Sequence, residues 1–311
     1  MRLPEILLSA LLASCMAVTA TAAEKRTYIY DIAGSDTLRV DVYKGTDTTD
    51  KTPALIFAFG GSFRHGQRDD SRYLSMFRFL ADNGITVVSA DYRTMLSRLE
   101  PADIDGPEEF AEALTGAIQT AVLDYTRATA YIISHADEWG INPNQIFACG
   151  SSAGAITALQ AEYEICNRNA SIGSIPAGFN YAGVISMAGA IFSDGTPRWR
   201  RTPAPIMLFH GDADSTVPFN RATMGTFGLW GSESIAESLT ALNIPNTFWK
   251  ILGADHSVAI TPMNNHSGAI LDFIHSVCSQ RATITSVEER IPGQGPYKTD
   301  FTLKDYLQSN M

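Results

Sequence analysis

The alternation of two hydrophobic patterns along the chain most constrains how it can fold. Uninterrupted apolar runs are typical of strands covered on both faces, and segments with helical periodicity are typical of the helices that cover them. Apolar runs occur at 54–59, 86–90, 145–149, 182–187, 206–209 and 248–252. Helical periodicity occurs at 71–83, 108–139, 153–166, 232–242 and 262–277. The repeated strand–helix order predicts an α/β fold with a mostly parallel central sheet and helices on both faces.

The N-terminal part of this region follows a different pattern. Apolar and polar residues alternate over 26–32 and 38–43, on either side of Gly34-Ser35-Asp36. Such alternation is typical of half-exposed strands, and the residues between them favour a tight turn. The sequence therefore predicts an N-terminal antiparallel hairpin beside the parallel sheet.

The composition suits a globular domain that does not bind nucleic acid. Of the 311 residues, 45% are apolar and 18% are charged, which is enough apolar material for a buried sheet and argues against disorder. The formal net charge is −10, so the average surface potential repels phosphate backbones. We therefore expect no nucleic-acid partner.

Residues 1–23 have the composition of a secretion signal. Arg2 is followed by an apolar run over 6–18 and by small residues up to Ala23, after which we predict cleavage. This predicts a secreted or periplasmic protein. An alternative is that Cys15, at the end of a Leu-Ala-Ser-Cys sequence, carries a lipid and makes the mature protein a membrane-anchored lipoprotein.

Residues 24–280 contain all of the predicted strands and helices and form one predicted domain. Residues 281–311 follow as a C-terminal extension, in which Pro-Gly-Gln-Gly-Pro at 292–296 cannot continue a helix. We expect this extension to pack on the surface. The acidic, proline-containing segment 95–107 is interpreted either as a roof over a functional site or as an ordinary surface loop.

An exported protein folds in an oxidising compartment, so its remaining thiols need an interpretation. Cys149 lies in an apolar run and is predicted to be a small buried side chain. Cys166 and Cys278 either pair in a disulfide or stay free, because the sequence does not give their separation.

Gly150-Ser151-Ser152-Ala153-Gly154 lies between a predicted strand and a predicted helix. A G-x-S-x-G motif in that context indicates a nucleophile elbow, a sharp turn that presents the serine hydroxyl above the carboxyl edge of the sheet. The glycines leave space for the neighbouring strand and helix, and the helix N-terminus faces developing negative charge. Ser152 is therefore the candidate nucleophile.

A nucleophilic serine needs a base and a carboxylate that orients the base, and both follow later strands. Asp214 follows the strand at 206–209, and His256 follows the strand at 248–252. The carboxyl ends of parallel strands lie at one edge of the sheet, where ligands of open α/β sheets bind. The sequence therefore predicts that Ser152, Asp214 and His256 meet at this edge.

Two other interpretations of the acid-bearing segment stay open. Asp212 is an alternative acid, in which case Asp214 caps the following turn. His210, Asp212 and Asp214 together resemble a set of metal ligands, although no metal-binding spacing such as H-E-x-x-H accompanies them. We therefore predict no metal site here.

In its motifs and their order, the chain resembles the α/β-hydrolase superfamily, and within it bacterial carboxylesterases of the hormone-sensitive-lipase-like and feruloyl-esterase-like groups. The resemblance implies the α/β-hydrolase fold, with 24–280 as its catalytic domain. Ser152 matches the nucleophile of the family, and His256 matches the general base. Asp214 matches the acid of the H-G-x-x-D-x-x-V-P segment that begins at His210.

The resemblance also assigns an oxyanion hole. The sequence F-G-G-S-F that starts at Phe59 stands where relatives have H-G-G-G followed by an aromatic residue. The backbone N–H groups of Gly61 and Ser62 are therefore expected to act together with that of Ala153. Phe59 replaces the usual histidine and Ser62 the third glycine, so the resemblance does not fix the conformation of this loop or the shape of the acyl site.

The implied activity is hydrolysis of carboxylic esters through an acyl-enzyme, without a metal or an organic cofactor. The expected substrates are small-molecule esters or esters carried by polysaccharides, such as acetyl or feruloyl groups. Two alternatives stay open. One is an exopeptidase of the prolyl-peptidase type, which uses the same fold and residue order, and the other is a catalytically silent binding protein.

Overall fold

The computed structural model describes residues 24–45, 51–99, 105–168, 172, 175–225, 227–290 and 297–310. The predicted secretion signal, its cleavage site and Cys15 lie outside these residues. Across the described ranges, no helix combines the length and the hydrophobicity that a bilayer crossing requires.

The described chain forms strands in two sheets, with helices between them. The strands are β1 (Glu24–Ala33), β2 (Asp36–Lys44), β3 (Thr52–Ala58), β4 (Thr86–Ala90), β5 (Ile141–Ser151), β6 (Gly183–Met187), β7 (Ala190–Asp194), β8 (Ile206–Gly211), β9 (Arg221–Met224), β10 (Phe227–Gly231), β11 (Asn246–Leu252) and β12 (Thr285–Arg290). The α-helices are α1 (Leu74–Asp82), α2 (Pro107–Ser134), α3 (Ala136–Trp139), α4 (Ala153–Asn167), α5 (Ser232–Ala241), α6 (Thr261–Asn265), α7 (Ser267–Cys278) and α8 (Leu303–Asn310).

The large sheet is parallel except at its N-terminal edge. It contains nine strands in the order β1-β2-β4-β3-β5-β6-β8-β11-β12. β1 pairs antiparallel with β2, and β2 pairs antiparallel with β4, whereas every pair from β4 to β12 is parallel. This arrangement confirms the mostly parallel sheet and the antiparallel N-terminal hairpin that the sequence predicts.

The helices form two packed groups that cover the sheet. α1 contacts α6 and α7, whereas α2 contacts α4. α4 is buried along nearly its whole length because it packs between the sheet and α2. α1 is amphipathic and buries Met76, Phe77 and Leu80. The helices on both faces agree with the strand–helix order of the sequence.

Two of the predicted helices are interrupted. The segment predicted at 108–139 contains α2 and α3, which are separated at His135. The N–H of His135 still donates to the Tyr131 carbonyl, so the helical pattern of apolar residues continues across the break and hides it. The segment predicted at 262–277 likewise contains α6 and α7, which are separated at His266.

Two groups of elements have no counterpart in the sequence analysis. β7, β10 and β9 form a small antiparallel sheet in that order. These strands are short and lack both uninterrupted apolar runs and strict alternation, so periodicity does not reveal them.

The C-terminal extension contributes β12 to the edge of the large sheet and also contains α8. The extension is therefore integrated into the domain instead of lying on its surface as a tail.

The thiols in the described part of the chain are all free, including Cys166 and Cys278. Cys149 is buried, as predicted. The Cys166 thiol donates to Oε1 of Glu162 at 3.3 Å, and the Ala204 N–H donates to the same oxygen at 2.7 Å. Glu162 is fully buried, and this burial raises the pKa of its carboxyl group to about 6 despite the hydrogen bonds.

A carboxyl group whose pKa is raised by folding stabilises the fold while it is protonated, and this contribution is lost as the pH rises through the folded-state pKa. The free energy of unfolding of the wild type should therefore fall, relative to that of Glu162→Gln, as the pH rises from about 4.3, the ordinary pKa of glutamate, through about 6. Glutamine keeps an acceptor oxygen for Ala204 without carrying a charge. Urea unfolding on both sides of this window measures the difference.

Glu237 lies on the exposed side of α5, and Glu237→Gln is the matched control. Its difference from the wild type should stay nearly constant across the same window. A constant difference for Glu162→Gln as well would contradict the raised pKa of the buried carboxyl group.

Candidate active site

Ser152 lies in the turn between β5 and α4, with a backbone conformation that L-amino acids rarely adopt. Its φ is 52° and its ψ is −120°. A Cβ on Gly150 would overlap the Gly154 carbonyl, and a Cβ on Gly154 would overlap the carbonyl of Ala58 at the end of β3. The two glycines of the motif are therefore required by close backbone contacts, and these contacts hold the strained turn in place.

The structure brings the three residues predicted from separate strands into one hydrogen-bonded chain. Oγ of Ser152 lies 2.7 Å from Nε2 of His256, and Nδ1 of His256 lies 2.7 Å from Oδ2 of Asp214. Each residue follows the carboxyl end of a parallel strand, namely β5, β11 and β8. This order of contacts is the one that lets an imidazole accept a serine proton while a carboxylate orients the ring.

Asp214 is fully buried, and its position is held by backbone and side-chain donors. Its Oδ1 accepts the N–H groups of Thr216 at 2.8 Å and Val217 at 3.0 Å. Its Oδ2 lies 3.3 Å from Nε2 of His210 in addition to the contact with His256. Burial alone would raise the pKa of Asp214, but the hydrogen bonds and charges of His210 and His256 outweigh it and hold the pKa well below its usual range. Asp214 is therefore ionised beside His256.

His210 contacts Asp214, a contact that the sequence analysis did not predict. It is fully buried, and its Nδ1 lies 2.8 Å from the Ser232 hydroxyl. Its Nε2 lies 3.2 Å from the Val217 carbonyl as well as close to Asp214. The H-G-x-x-D segment is the signal for this contact, because it places a histidine four residues before the acid on the same turn.

The geometry bears on both the alternative acid, Asp212, and the interpretation of this segment as a metal site. Oδ1 of Asp212 accepts the Gly253 N–H at 2.6 Å, so Asp212 connects two loops while Asp214 contacts His256. Asp255 caps the turn that begins at His256 by accepting the Ser257 N–H. Among the described residues, no group of three or more His, Cys, Asp or Glu side chains is arranged to hold a metal ion.

The loop after β3 approaches the elbow closely. A Cβ on Gly60 would lie 3.0 Å from the Ser151 carbonyl oxygen and 3.2 Å from Cβ of Ser152. The next two residues, Gly61 and Ser62, have φ values of 142° and 54°. Ser62 lines the same cavity as Ser152. The predicted donor loop is therefore adjacent to the candidate nucleophile, and two consecutive residues of the loop have positive φ values.

The departures of this loop from the family pattern have packing partners. The ring of Phe59, which stands where relatives have histidine, stacks on Tyr92 with centroids 4.3 Å apart. The Tyr92 hydroxyl donates to the Phe59 carbonyl at 2.7 Å, and the Gly60 N–H donates to the Tyr73 hydroxyl at 3.1 Å. These contacts fix the start of the loop. Ala153, the third predicted donor, is the first residue of α4, where backbone N–H groups have no acceptor within the helix.

An apolar cavity of about 100 Å³ opens beside Ser152. Its lining contains no acidic, basic or histidine side chain among the described residues, and it draws on α2, α4, the small sheet and α8. Leu229 of β10 lies in this lining, whereas its neighbour Trp230 packs beneath Arg221. Leu96 and Pro107, at the two ends of the segment interpreted as a roof or a loop, also line the cavity.

Comparison with known proteins agrees with this fold. The BD-FAE family model matches residues 40–170, which include the donor loop and the elbow. Esterase 2 of the Planctomycetes species Thermogutta terrifontis has a similar structure, with a TM-score of 0.58, 20% sequence identity, and coverage of 85% of this chain and 95% of that one.

Two curated proteins also match over part of the sequence. Isoprenylcysteine alpha-carbonyl methylesterase of Arabidopsis thaliana is 24% identical over 238 residues, which are 64% of this chain and 51% of that protein. Esterase LipC of Mycobacterium tuberculosis is 25% identical over 219 residues, which are 59% of this chain and 50% of that protein. The chain thus spans about half the length of these relatives.

The parallel sheet, the elbow between β5 and α4 and these matches together define the class of protein. The chain has the α/β-hydrolase fold, and the proteins to which it is similar are named as esterases.

The close contact at Gly154 predicts a difference between two glycine-to-alanine substitutions in helices. Gly154→Ala places a methyl group on the Ala58 carbonyl and should lower the free energy of unfolding by about 1–3 kcal/mol or more. Gly116 lies inside α2 with open space around it, so Gly116→Ala should raise the free energy of unfolding by about 0.5–1 kcal/mol. Urea unfolding of both variants tests the contact, and equal effects would contradict it.

Proposed function

We propose that this protein is a serine hydrolase that cleaves carboxylic esters through an acyl-enzyme on Ser152. The observation that carries the proposal is the hydrogen-bonded chain from Ser152 through His256 to Asp214 beside an apolar cavity. The esterase names of the relatives and of the similar structure support the same reaction class. No step of this reaction needs a metal or an organic cofactor.

In the proposed mechanism His256 is the general base and then the general acid. Its Nε2 accepts the proton of the Ser152 hydroxyl while Oγ bonds to the ester carbonyl carbon. The C–O bond to the alcohol then breaks, and the alcohol leaves with the proton from Nε2. Water, deprotonated by the same nitrogen, attacks the acyl carbon. The bond from this carbon to Oγ of Ser152 then breaks, Oγ takes the proton from Nε2, and the carboxylic acid leaves. Buried, ionised Asp214 keeps the proton on Nδ1 and stabilises the imidazolium that forms in each half-reaction.

The oxyanion of each tetrahedral intermediate is assigned to the backbone N–H groups of Gly61, Ser62 and Ala153. Ser62 and Ala153 line the cavity together with Ser152, and Gly61 precedes Ser62 in the loop that contacts the elbow. Donors of this kind contribute about 3–4 kcal/mol each to transition-state stabilisation.

The cavity lining favours an ester with an apolar acyl or aryl group. An exopeptidase needs a charged anchor for a peptide terminus, because a buried terminus is bound by charge-assisted hydrogen bonds. The part of the chain that the structure describes offers only apolar and uncharged polar residues to this cavity, which favours the ester over the peptide. Feruloyl or acetyl esters on polysaccharides are the substrates that we propose for an exported enzyme of this group.

The proposed nucleophile is tested by Ser152→Ala. This variant should lose nearly all hydrolysis of p-nitrophenyl acetate, by a factor of about 10⁶ in kcat, because no other group can form the acyl-enzyme. It should also resist labelling by a fluorophosphonate probe, whereas the wild type is labelled at Ser152. Ser151→Ala is the neighbouring control, since the Ser151 hydroxyl donates to the Ala259 carbonyl and not to His256. An unlabelled wild type would support the silent binding protein instead.

The proposed acid is tested by comparing two aspartates of one turn. Asp214→Asn removes the charge that orients His256 and should lower kcat/KM by about 10³–10⁴-fold. Asp212→Asn keeps an acceptor for the Gly253 N–H and should have a much smaller effect. The assignment of the acid is wrong if the larger loss occurs at Asp212.

We also propose that residues 1–23 direct export and are removed. The supporting observation is their sequence: Arg2, an apolar run and small residues up to Ala23. Expression of the full chain in a bacterial host, followed by N-terminal sequencing of the exported protein, should give a mature chain that begins at Glu24. Lipid attached to Cys15, detected by mass spectrometry, would favour the anchored alternative, and an uncleaved cytoplasmic chain would contradict both.

A further inference from the structure

The C-terminal extension returns to the rim of the sheet that holds the site. β12 runs parallel to β11, with Thr285 paired to Thr247 and Arg290 to Leu252. Since β11 leads directly into the loop of His256, β12 ends at the same rim. Where the described chain resumes, the Tyr297 ring lies 3.6 Å from the position that a Cβ on Gly253 would occupy. The extension therefore passes beside the loop that carries the base.

α8 forms a well-defined helix with one apolar side. It begins with a capping box, in which the Thr302 N–H donates to Oδ2 of Asp305 at 2.7 Å and the Asp305 N–H donates to the Thr302 hydroxyl at 3.3 Å. Leu303, Tyr306 and Leu307 lie at spacings of three and four residues, so they share one face of the helix. The opposite side consists of exposed residues, namely Lys304, Gln308 and Ser309.

The apolar side of α8 faces the cavity beside Ser152. Leu303, Tyr306, Leu307 and Asn310 all line this cavity. Tyr306 is buried, and its burial raises the pKa of its hydroxyl, which the nearby charge of Asp214 raises further. Tyr306 therefore stays uncharged and brings no second anion toward the buried carboxylate.

One hydrogen bond fixes the end of α8 to the loop of the acid. Nδ2 of Asn310 donates to the Thr216 carbonyl at 2.9 Å. The N–H of Thr216 in turn donates to Oδ1 of Asp214. The helix is thereby docked on the turn that holds the acid, and its leucines have a defined position relative to Ser152.

We propose that α8 is the specificity-determining wall of the site, and that Leu303 and Leu307 set the length of the apolar group that the enzyme accepts. This inference rests on the proposed ester hydrolysis. The remaining apolar lining comes from the main domain, including Phe110 and Leu114 of α2 and Ile156 of α4. The two leucines of α8 are lining residues whose side chains can change without altering the sheet or the hydrogen-bonded chain at Ser152.

The test compares chain-length profiles of kcat/KM. One series varies the acyl group of p-nitrophenyl esters from acetyl to decanoyl, and a second series varies the alcohol of acetate esters. The double variant Leu303→Ala/Leu307→Ala enlarges the cavity, and the ratio of kcat/KM for the longest over the shortest ester should rise by about tenfold or more in one series. Leu307→Trp fills the cavity and should lower the same ratio by a similar factor.

Gln308→Ala is the matched control, because it alters the exposed side of the same helix. Its profile should equal that of the wild type, and thermal unfolding should show that every variant is folded. Profiles of folded Leu303→Ala/Leu307→Ala and Leu307→Trp that match the wild type in both series would overturn the inference.

The results distinguish a wrong inference about α8 from a wrong proposed function. If Ser152→Ala loses turnover while the chain-length profiles of the leucine variants are unchanged, the role of α8 is rejected and the proposed ester hydrolysis is kept. Persistent turnover in Ser152→Ala rejects the mechanism.

Binding of an apolar dye to a catalytically inactive variant tests the position of α8 independently of catalysis. The apolar dye N-phenyl-1-naphthylamine should bind the Ser152→Ala protein, and adding Leu307→Trp should weaken this binding by about tenfold, whereas adding Gln308→Ala should leave it unchanged. Equal dye affinity in all three proteins would overturn the wall.

Discussion

The backbone contact between Gly154 and the end of β3 is the constraint on which the site depends. It brings the first turn of α4 against the Ala58 carbonyl, so the elbow and the loop after β3 are adjacent. The same closeness forces Ser152 into its positive φ, because the chain has to turn sharply from β5 into the helix. Ser152, the proposed nucleophile, is therefore positioned beside the helix N-terminus and the loop after β3 by this packing contact.

Asp214, the proposed acid, has more hydrogen-bond partners than His256 alone. Asp214 accepts two backbone N–H groups on one oxygen and lies beside two imidazoles with the other. Full burial of an anion is costly, and these donors offset that cost. Because His210 is itself fixed by Ser232, the anion sits in a rigid setting, and His256 is the member of the group whose side chain is partly exposed.

The sequence predicts the sheet, the elbow and the three hydrogen-bonded residues because each has a strong local signal. Apolar runs mark buried strands, and Gly150 and Gly154 mark a turn without space for side chains. Other features depend on contacts between distant segments, which no local pattern reports. One example is the pairing of β12 with β11, because the sequence of β12 is exposed and charged and is typical of a tail. Another example is the contact that His210 and His256 both make with Asp214.

Some of the missed features did leave a trace. Thr302 and Asp305 have the spacing of a capping box, and the leucines that follow have helical spacing, so the end of the chain carried a helix signal after the proline-rich stretch. The sequence does not indicate where this helix packs, which is set by the hydrogen bond from Asn310 to the loop of Asp214.

The placement of α8 has a practical consequence for work with this protein. A purification tag or fusion partner joined directly after Asn310 would begin beside residues that line the cavity. Such an addition would lie close to the hydrogen bond from Asn310 to the Thr216 carbonyl. A tag placed ahead of β1 avoids this, since that strand lies at the far edge of the sheet, away from the carboxyl ends of β5, β8 and β11.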